Sequence, residues 1–192
     1  AISRLPGKIA IGHNRYSTSG RVVLRNIQPI YADLAFGGFA IAHNGNLTNA
    51  RAIHRELVMN GAIFQSTMDT EGVLQLTARS QRNRIEDRFI DALRQLDGGY
   101  AFVALTNGKL IGARDPWGLR PLVLGSLDDG SPVLCSETCA LDAIGASFVR
   151  DIEAGEVVVI SKDSIESLTP FPNVRATPCV FEYVYFARPD SI

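Results

Sequence analysis

Paired apolar runs separated by tight-turn residues constrain the fold of the second half of this 192-residue chain. Residues 100–115 read as two strands joined by Asn107-Gly108, and residues 119–137 as two more strands that turn at Asp128–Gly130. A third pair follows at residues 155–168. Asn-Gly between apolar runs is a strong signal for a tight hairpin. Because hairpins join antiparallel neighbours, the sequence predicts antiparallel sheets.

Four other segments have the apolar spacing of helices: residues 47–62, 64–80, 85–99 and, shorter, 138–146. The second of them is expected to begin extended and to become helical after a cap at Asp69 or Thr70. In the third of them, Ile85, Phe89 and Leu93 share one face, and Gly98-Gly99 ends the pattern. No stretch has the composition of a linker. We therefore expect one domain in which helices pack outside antiparallel sheets.

Charge, hydropathy and cysteine content limit which partners, compartment and metal sites the sequence suggests. The formal net charge is -1, so nothing in it calls for a nucleic-acid partner. No apolar run is long enough to span a membrane. The three cysteines, in a chain without a secretory pattern, favour the reducing cytoplasm. Two of them, Cys135 and Cys139, lie four residues apart, but no His or further Cys stands nearby to complete a zinc site.

Two stretches of the first half repeat one plan. "KIAIGHNRYST" (8–18) and "GFAIAHNGNLT" (38–48) align without a gap, so that His13 matches His43 and Asn14 matches Asn44. Each is predicted to be a short buried strand followed by a polar loop. Loops that follow strands present functional groups on a rigid base. The two strands are therefore expected to deliver polar residues to one edge of a sheet.

The residue types after these strands suit a free amino acid. Arg15 offers a planar fork for a carboxylate, and Asp69 offers the opposite charge for an amine. The side-chain NH2 of Asn44 and the backbone N–H of Gly45 could hold an oxyanion between them.

Structural alternatives remain open for the same residues. Arg15 and Asp69 would equally form an ion pair, and an isolated Asn44-Gly45 is most often a turn. His13 and His43 follow apolar runs, as hydrogen-bonded core histidines do. Turn chemistry explains residues 115–118, and the flanking Arg114 and Arg120 are interpreted as structural, with Glu137 as a candidate partner. No residue stands out as a nucleophile: Cys135 follows an apolar run, and no Gly-x-Ser-x-Gly elbow is present.

Seven motifs in a fixed order resemble the amidophosphoribosyltransferases, a family of class II glutamine amidotransferases. They are "GHNRYSTSG", "AHNGNLTN", "STMDTE", "RDPWGLRPLVLG", "CSETCALDAIGA", "RDIEAGEVVVI" and "FEYVYFARPDS". Gly-His-x-Arg and His-Asn-Gly are common to all class II amidotransferases, whereas "FEYVYFARPDS" is more specific. The resemblance implies an α+β fold, the N-terminal-nucleophile hydrolase sandwich of four αββα layers, with two antiparallel sheets between helices. It also implies that the first strand and helix of that fold precede Ala1.

The resemblance assigns roles to the candidate residues. It implies that Arg15 binds the α-carboxylate of glutamine, that Asp69 binds its α-amino group, and that Asn44 and Gly45 hold the tetrahedral oxyanion. Tyr16, Ser17 and Thr18 belong to a loop that closes over glutamine. The substrate-binding set is Arg15, Tyr16, Thr18, His43 and Asp69.

The nucleophile of the family is a cysteine at the mature N-terminus, whose own α-amine serves as base because its pKa of about 7.7–8.0 suits work near neutrality. That cysteine is expected upstream of Ala1. Residues 1–180 are then the glutaminase domain, and residues 181–192 begin the crossover into a phosphoribosyltransferase domain. The implied reaction converts glutamine and phosphoribosyl pyrophosphate to phosphoribosylamine, the first step of purine synthesis. Without the cysteine, this chain alone is expected not to hydrolyse glutamine.

The resemblance also implies cofactors and partners. Magnesium would belong to the phosphoribosyltransferase domain. Some members carry a 4Fe-4S cluster, and Cys179 resembles one of its ligands, although no cluster is expected on this chain alone. Glutamine is the expected partner, with phosphoribosyl pyrophosphate at the second domain, and the intact enzyme is expected to be a homo-oligomer. Three alternatives remain: the glutaminase domain of a glucosamine-phosphate or asparagine synthase, a non-catalytic glutamine-binding module, and a fragment that does not fold alone.

Overall fold

The computed structural model describes residues 7–14, 23–171, 177, 179–181 and 191. The longest helix among them has 11 residues, and none of the helices described has the length and apolar character needed to cross a bilayer. The elements in chain order are β1 (Ile30–Leu34), β2 (Gly37–Leu47), α1 (Ala50–Met59), α2 (Asp69–Arg79), α3 (Ile85–Leu93), β3 (Gly98–Thr106), β4 (Lys109–Arg114), β5 (Val123–Ser126), β6 (Pro132–Cys135), α4 (Thr138–Ile144), β7 (Ser147–Asp151), β8 (Val157–Ile160) and β9 (Ile165–Leu168).

The strands form two antiparallel sheets. The larger has the order β1-β2-β3-β4-β8-β9, and the smaller has the order β6-β5-β7. The predicted hairpins β3–β4, β5–β6 and β8–β9 are all present. Asn107 and Gly108 take positive φ values of 39° and 75° at the first of these turns, as a tight hairpin turn requires.

Three apolar clusters separate four layers. The first lies between α1–α3 and the larger sheet and contains Phe39, Phe89 and Phe102. The second lies between the two sheets, around Leu122 and Val158. In the third, Leu141 of α4 packs on the outer face of the smaller sheet. This helix–sheet–sheet–helix order confirms the predicted αββα sandwich.

The four predicted helices are confirmed, but three strand assignments differ from expectation. Strands β1 and β7 were not predicted, and residues 8–11 do not form the expected strand. Lys8, Ile9 and Ala10 are exposed, whereas Ile11 packs against the cluster between the sheets. An apolar run becomes a strand only where a neighbour takes its backbone hydrogen bonds, and no described strand pairs with residues 8–11.

Candidate functional site

The C-terminal half of β2 runs past the end of its neighbour β1. Pairing between the two strands extends only to Ile41, which lies opposite Ile30. Residues 43–47 therefore have β3 on one side and no described strand on the other; we call this second side the free edge. At its start, the Gln28 side chain replaces a strand: the N–H of His43 donates to Gln28 Oε1 (2.7 Å), and Gln28 Nε2 donates to the C=O of His43 (3.3 Å).

The backbone N–H of Gly45 is directed toward the free edge. Gly45 lies opposite Tyr100, whose C=O and N–H both bond to Asp115 on the far side of β3 (2.9 and 3.3 Å). Opposed residues of an antiparallel pair alternate between bonded and non-bonded pairs, so Gly45 and Tyr100 form a non-bonded pair. Within the described ranges, no residue accepts the Gly45 N–H on this side, so it is available to a ligand.

Asp69 lies at the other end of the free edge, at the first residue of α2. Its Oδ2 accepts the N–H of Leu47 (3.2 Å), and its Oδ1 accepts the N–H of Thr70 (2.9 Å) and lies 3.4 Å from Nδ1 of His43. Burial would raise the pKa of Asp69, but the hydrogen bond and charge of His43, with the N–H groups of Leu47 and Thr70, outweigh burial and lower the pKa below its ordinary value. The carboxylate is therefore anionic near neutrality.

A buried polar network fixes the start of α2 beside the free edge. Glu71 accepts the N–H groups of Gln65 and Ser66 (2.8 and 2.7 Å), which shapes the turn before the helix. Asn26 is fully buried and bonds both to the N–H and to the hydroxyl of Thr67 (3.0 and 2.8 Å). The network explains how a carboxylate at a helix start is held against a strand from elsewhere in the chain.

The side chain of Asn44 lies on the opposite face of the sheet from that of His43, as successive strand residues do. His43 is buried and stacks on Phe102, with ring centroids 4.4 Å apart. Asn44 is half-buried, and its Oδ1 accepts a hydrogen bond from Nη2 of Arg120 at 2.6 Å. The amide thus sits beside the Gly45 N–H, on the face of the larger sheet that looks toward the smaller one.

The structure brings four of the predicted site residues to one end of β2: His43, Asn44, Gly45 and Asp69. Asn44-Gly45 is not a turn, because both residues lie within β2. His43 has the hydrogen-bonded core position that its apolar surroundings predict. Arg15, Tyr16 and Thr18 lie outside the described residues.

Sequence reasoning missed the two residues that hold this edge in place, Asn26 and Gln28. Their contacts are made to residues 41 and 15 positions away, a distance at which local patterns carry no signal. The partners of the two arginines also differ from the one suggested. Arg114 donates to the C=O groups of Gly118, Arg120 and Ile152, and Arg120 donates to Asn44.

Metal ligands do not gather in the described part of the chain. No three His, Cys, Asp or Glu side chains come together there. Cys179 is half-buried and forms no disulfide. An iron–sulfur cluster would therefore need ligands from outside the described residues.

Comparison with known proteins identifies the family. Residues 13–143, more than half of the chain, match the model of the glutamine amidotransferase domain. The chain belongs to the glutamine amidotransferase family. The matched range includes the free edge of β2 and the start of α2.

Curated relatives give the family a finer branch. The chain is 57% identical over 196 residues to amidophosphoribosyltransferase of Rhizobium etli and 46% identical over 191 residues to amidophosphoribosyltransferase 1, chloroplastic, of Arabidopsis thaliana. Both alignments cover all of this chain but only 39% and 34% of the relatives. The glutamine phosphoribosylpyrophosphate amidotransferase from B. subtilis, solved with ADP and GMP, superposes with a TM-score of 0.87 at 40% identity, over 94% of this chain and 39% of that one.

Proposed function

We propose that this chain is the glutamine-hydrolysing part of an amidophosphoribosyltransferase. The assignment is supported by membership of the glutamine amidotransferase family and by the names of the relatives that align with all of this chain. The observation that carries it is the free edge itself, where an N–H available to a ligand lies between an anionic carboxylate and an oriented carboxamide. Those are the groups needed to hold an amino acid and to stabilise an oxyanion.

Asp69 binds the α-ammonium group of glutamine in this proposal. An ionised carboxylate accepts about four hydrogen bonds, and the bonds from Leu47, Thr70 and His43 leave capacity for an ammonium. Arg15 takes the α-carboxylate, and Tyr16 and Thr18 close over the substrate. His43 acts through Asp69, which it holds against the end of β2.

The Asn44 NH2 and the Gly45 N–H hold the oxyanion. A cysteine thiolate expected upstream of Ala1 attacks the side-chain amide carbon, and the former carbonyl oxygen becomes an oxyanion that accepts both donors. The α-amine of that cysteine has taken the proton of its thiol. Collapse of the tetrahedral intermediate passes this proton to the leaving ammonia and leaves a thioester, which water hydrolyses to glutamate and the free thiol. Each donor of this kind contributes about 10²–10³ in rate, or about 3–4 kcal/mol.

The rest of the reaction belongs to the phosphoribosyltransferase part named in the relatives. Ammonia displaces pyrophosphate from phosphoribosyl pyrophosphate there, with magnesium on the phosphates. Residues 1–180 form the glutaminase domain and residues 181–192 the crossover between the parts. A cytoplasmic homo-oligomer is the expected form.

Steady-state assays of the complete gene product test this function. Asn44→Ala should lower kcat for glutamine hydrolysis about 10²–10³-fold, because one oxyanion donor is lost. The reaction with free ammonia in place of glutamine should keep its rate, since it bypasses the free edge. Asn60→Ala, which alters an exposed asparagine at the end of α1, is the matched control and should change neither rate.

Two outcomes would contradict the proposal. Asn44→Ala could keep its glutaminase activity within about threefold of the wild-type value, which would remove the oxyanion role. Alternatively, the gene product could hydrolyse glutamine but form no phosphoribosylamine from phosphoribosyl pyrophosphate, which would favour another synthase of the same family.

A further inference from the structure

The contact between Arg120 and Asn44 fixes the orientation of the Asn44 carboxamide. Nη2 of Arg120 lies 2.6 Å from Oδ1 of Asn44. A guanidinium only donates hydrogen bonds, so the atom that it contacts must be the amide oxygen. The NH2 group of Asn44 therefore faces away from Arg120. Turning the amide by 180° would set N–H groups against a cation.

The turn that carries Arg120 is held from inside by one carboxylate. Asp115 is fully buried. Its Oδ1 accepts the N–H groups of Trp117 and Leu119 (3.1 and 3.0 Å), and its Oδ2 accepts the N–H of Arg120 at 2.9 Å. These bonds place the backbone of Arg120 without any contribution from its side chain.

The same carboxylate also fixes the strand beside Gly45. Oδ2 of Asp115 accepts the N–H of Tyr100 (3.3 Å), and the N–H of Asp115 donates to the C=O of Tyr100 (2.9 Å). Tyr100 lies opposite Gly45 in the sheet. One buried group thus sets the positions of the strand next to one donor and of the arginine next to the other.

We infer that Arg120 is a positioning residue for amide hydrolysis, acting through Asn44. Its guanidinium holds the Asn44 oxygen, so that the NH2 group is already directed at the developing oxyanion. A charge-assisted bond to the amide oxygen also polarises the amide and strengthens its N–H donors. Donors oriented before the reaction need no reorganisation at the transition state. The inference rests on the proposed role of Asn44 and gives the Asp115–Arg120 turn a part in it.

A double-mutant cycle in the complete gene product tests this role. Arg120→Met should lower kcat for glutamine hydrolysis about 10–100-fold and leave KM for glutamine within about twofold, because bound glutamine carries no oxyanion before the attack. In an Asn44→Ala background, Arg120→Met should lower kcat by no more than a further factor of about three. Substitution of a residue needed only for folding would lower kcat by the same factor in the wild-type and Asn44→Ala backgrounds.

Arg120→Lys is the control that distinguishes loss of the positioning role from a folding defect. It keeps a cation and a donor, so it should recover part of the kcat lost in Arg120→Met while the ammonia-dependent reaction stays unchanged. Thermal melting of each variant shows whether the fold persists. If Arg120→Met does not fold, the same cycle is run with Arg120→Lys, which lacks the fork geometry and should itself lose several-fold in kcat only when Asn44 is present.

Three results would overturn the inference: unchanged kcat in a folded Arg120→Met, losses that multiply fully with Asn44→Ala, or a change in KM alone. They differ from failure of the proposed function. If Asn44→Ala itself keeps full activity, the oxyanion role is wrong whatever Arg120 does. If Asn44→Ala loses activity and Arg120→Met does not, only the positioning role is wrong.

Discussion

Gly45 occupies a backbone position that a side chain cannot share. Its φ is +150°, and a Cβ atom built there would lie 2.2 Å from the C=O oxygen of Gly99 and 2.9 Å from Nε2 of His43. The oxygen of Gly99 belongs to the neighbouring strand and cannot move without disrupting the sheet. The glycine therefore allows β2 to approach β3 closely at the point where its N–H is presented.

Substitution of Gly45 by alanine should destabilise the protein strongly. Gly61 provides the matched comparison, because its φ of +83° is also unfavourable for alanine but no atom lies within 4 Å of a Cβ there. Gly61→Ala should cost about 1 kcal/mol of unfolding free energy, and Gly45→Ala at least about 2 kcal/mol more. Urea unfolding measures both. Equal costs would show that the close approach to Gly99 is not what requires glycine.

At the scale of elements, the segment before β1 acts as a clamp between β2 and α2. The Gln28 carboxamide bonds to both backbone groups of His43, and the hydroxyl of Thr70 lies 3.3 Å from Gln28 Oε1. Asn26 holds the turn before α2 through Thr67. Strand and helix are thereby fixed relative to each other although 20 or more residues separate them in sequence.

Gln28→Met tests the clamp, because methionine keeps the volume but cannot bond to His43. The buried N–H and C=O of His43 would lose their partners, so the unfolding free energy should fall by about 2 kcal/mol. KM for glutamine should rise, because Gln28 also bonds to Thr70, the residue next to Asp69 in α2. Gln81→Met, at an exposed glutamine, should stay within about 0.5 kcal/mol of wild type. A Gln28 variant as stable as this control would argue against the clamp.

The elements also show how far sequence reasoning reaches. Helix spacing and turn residues predicted α1–α4 and three hairpins, because those signals are local. The two Asn-Gly pairs differ in a way that no local pattern reveals: Asn107-Gly108 makes a turn, whereas Asn44-Gly45 runs through β2. Asn44 and Gly45 stay in a strand because they pair with β3, whose residues lie about 55 positions later in the chain. The family motif, not the spacing, indicated an oxyanion role for Asn44-Gly45.

At the scale of the whole molecule, the charged pair of Arg150 and Glu156 joins the smaller sheet to the larger one. Arg150 in β7 bonds with both terminal nitrogens to Glu156 (2.8 and 2.7 Å), which lies just before β8 of the larger sheet. Burial would raise the pKa of Glu156, but Arg150, Ser167 and the N–H of Glu153 outweigh burial and lower it below its ordinary value. The pair therefore stabilises the fold above the pKa of the unfolded glutamate, about 4.3, and this stabilisation is lost as the pH falls through the folded pKa.

The central claim is that the free edge of β2 and the start of α2 recognise glutamine as an amino acid, with Asp69 on its α-amino group. The most direct test compares kcat/KM for glutamine with kcat/KM for glutaramate, which is glutamine without that amino group, in the complete gene product. Wild type should prefer glutamine by about 100-fold or more, because a buried carboxylate left without its cation costs several kcal/mol. Asp69→Asn should reduce the preference to less than about tenfold, and Asp129→Asn, at an exposed hairpin carboxylate, should leave it intact. An unchanged preference in a folded Asp69→Asn variant would contradict the account.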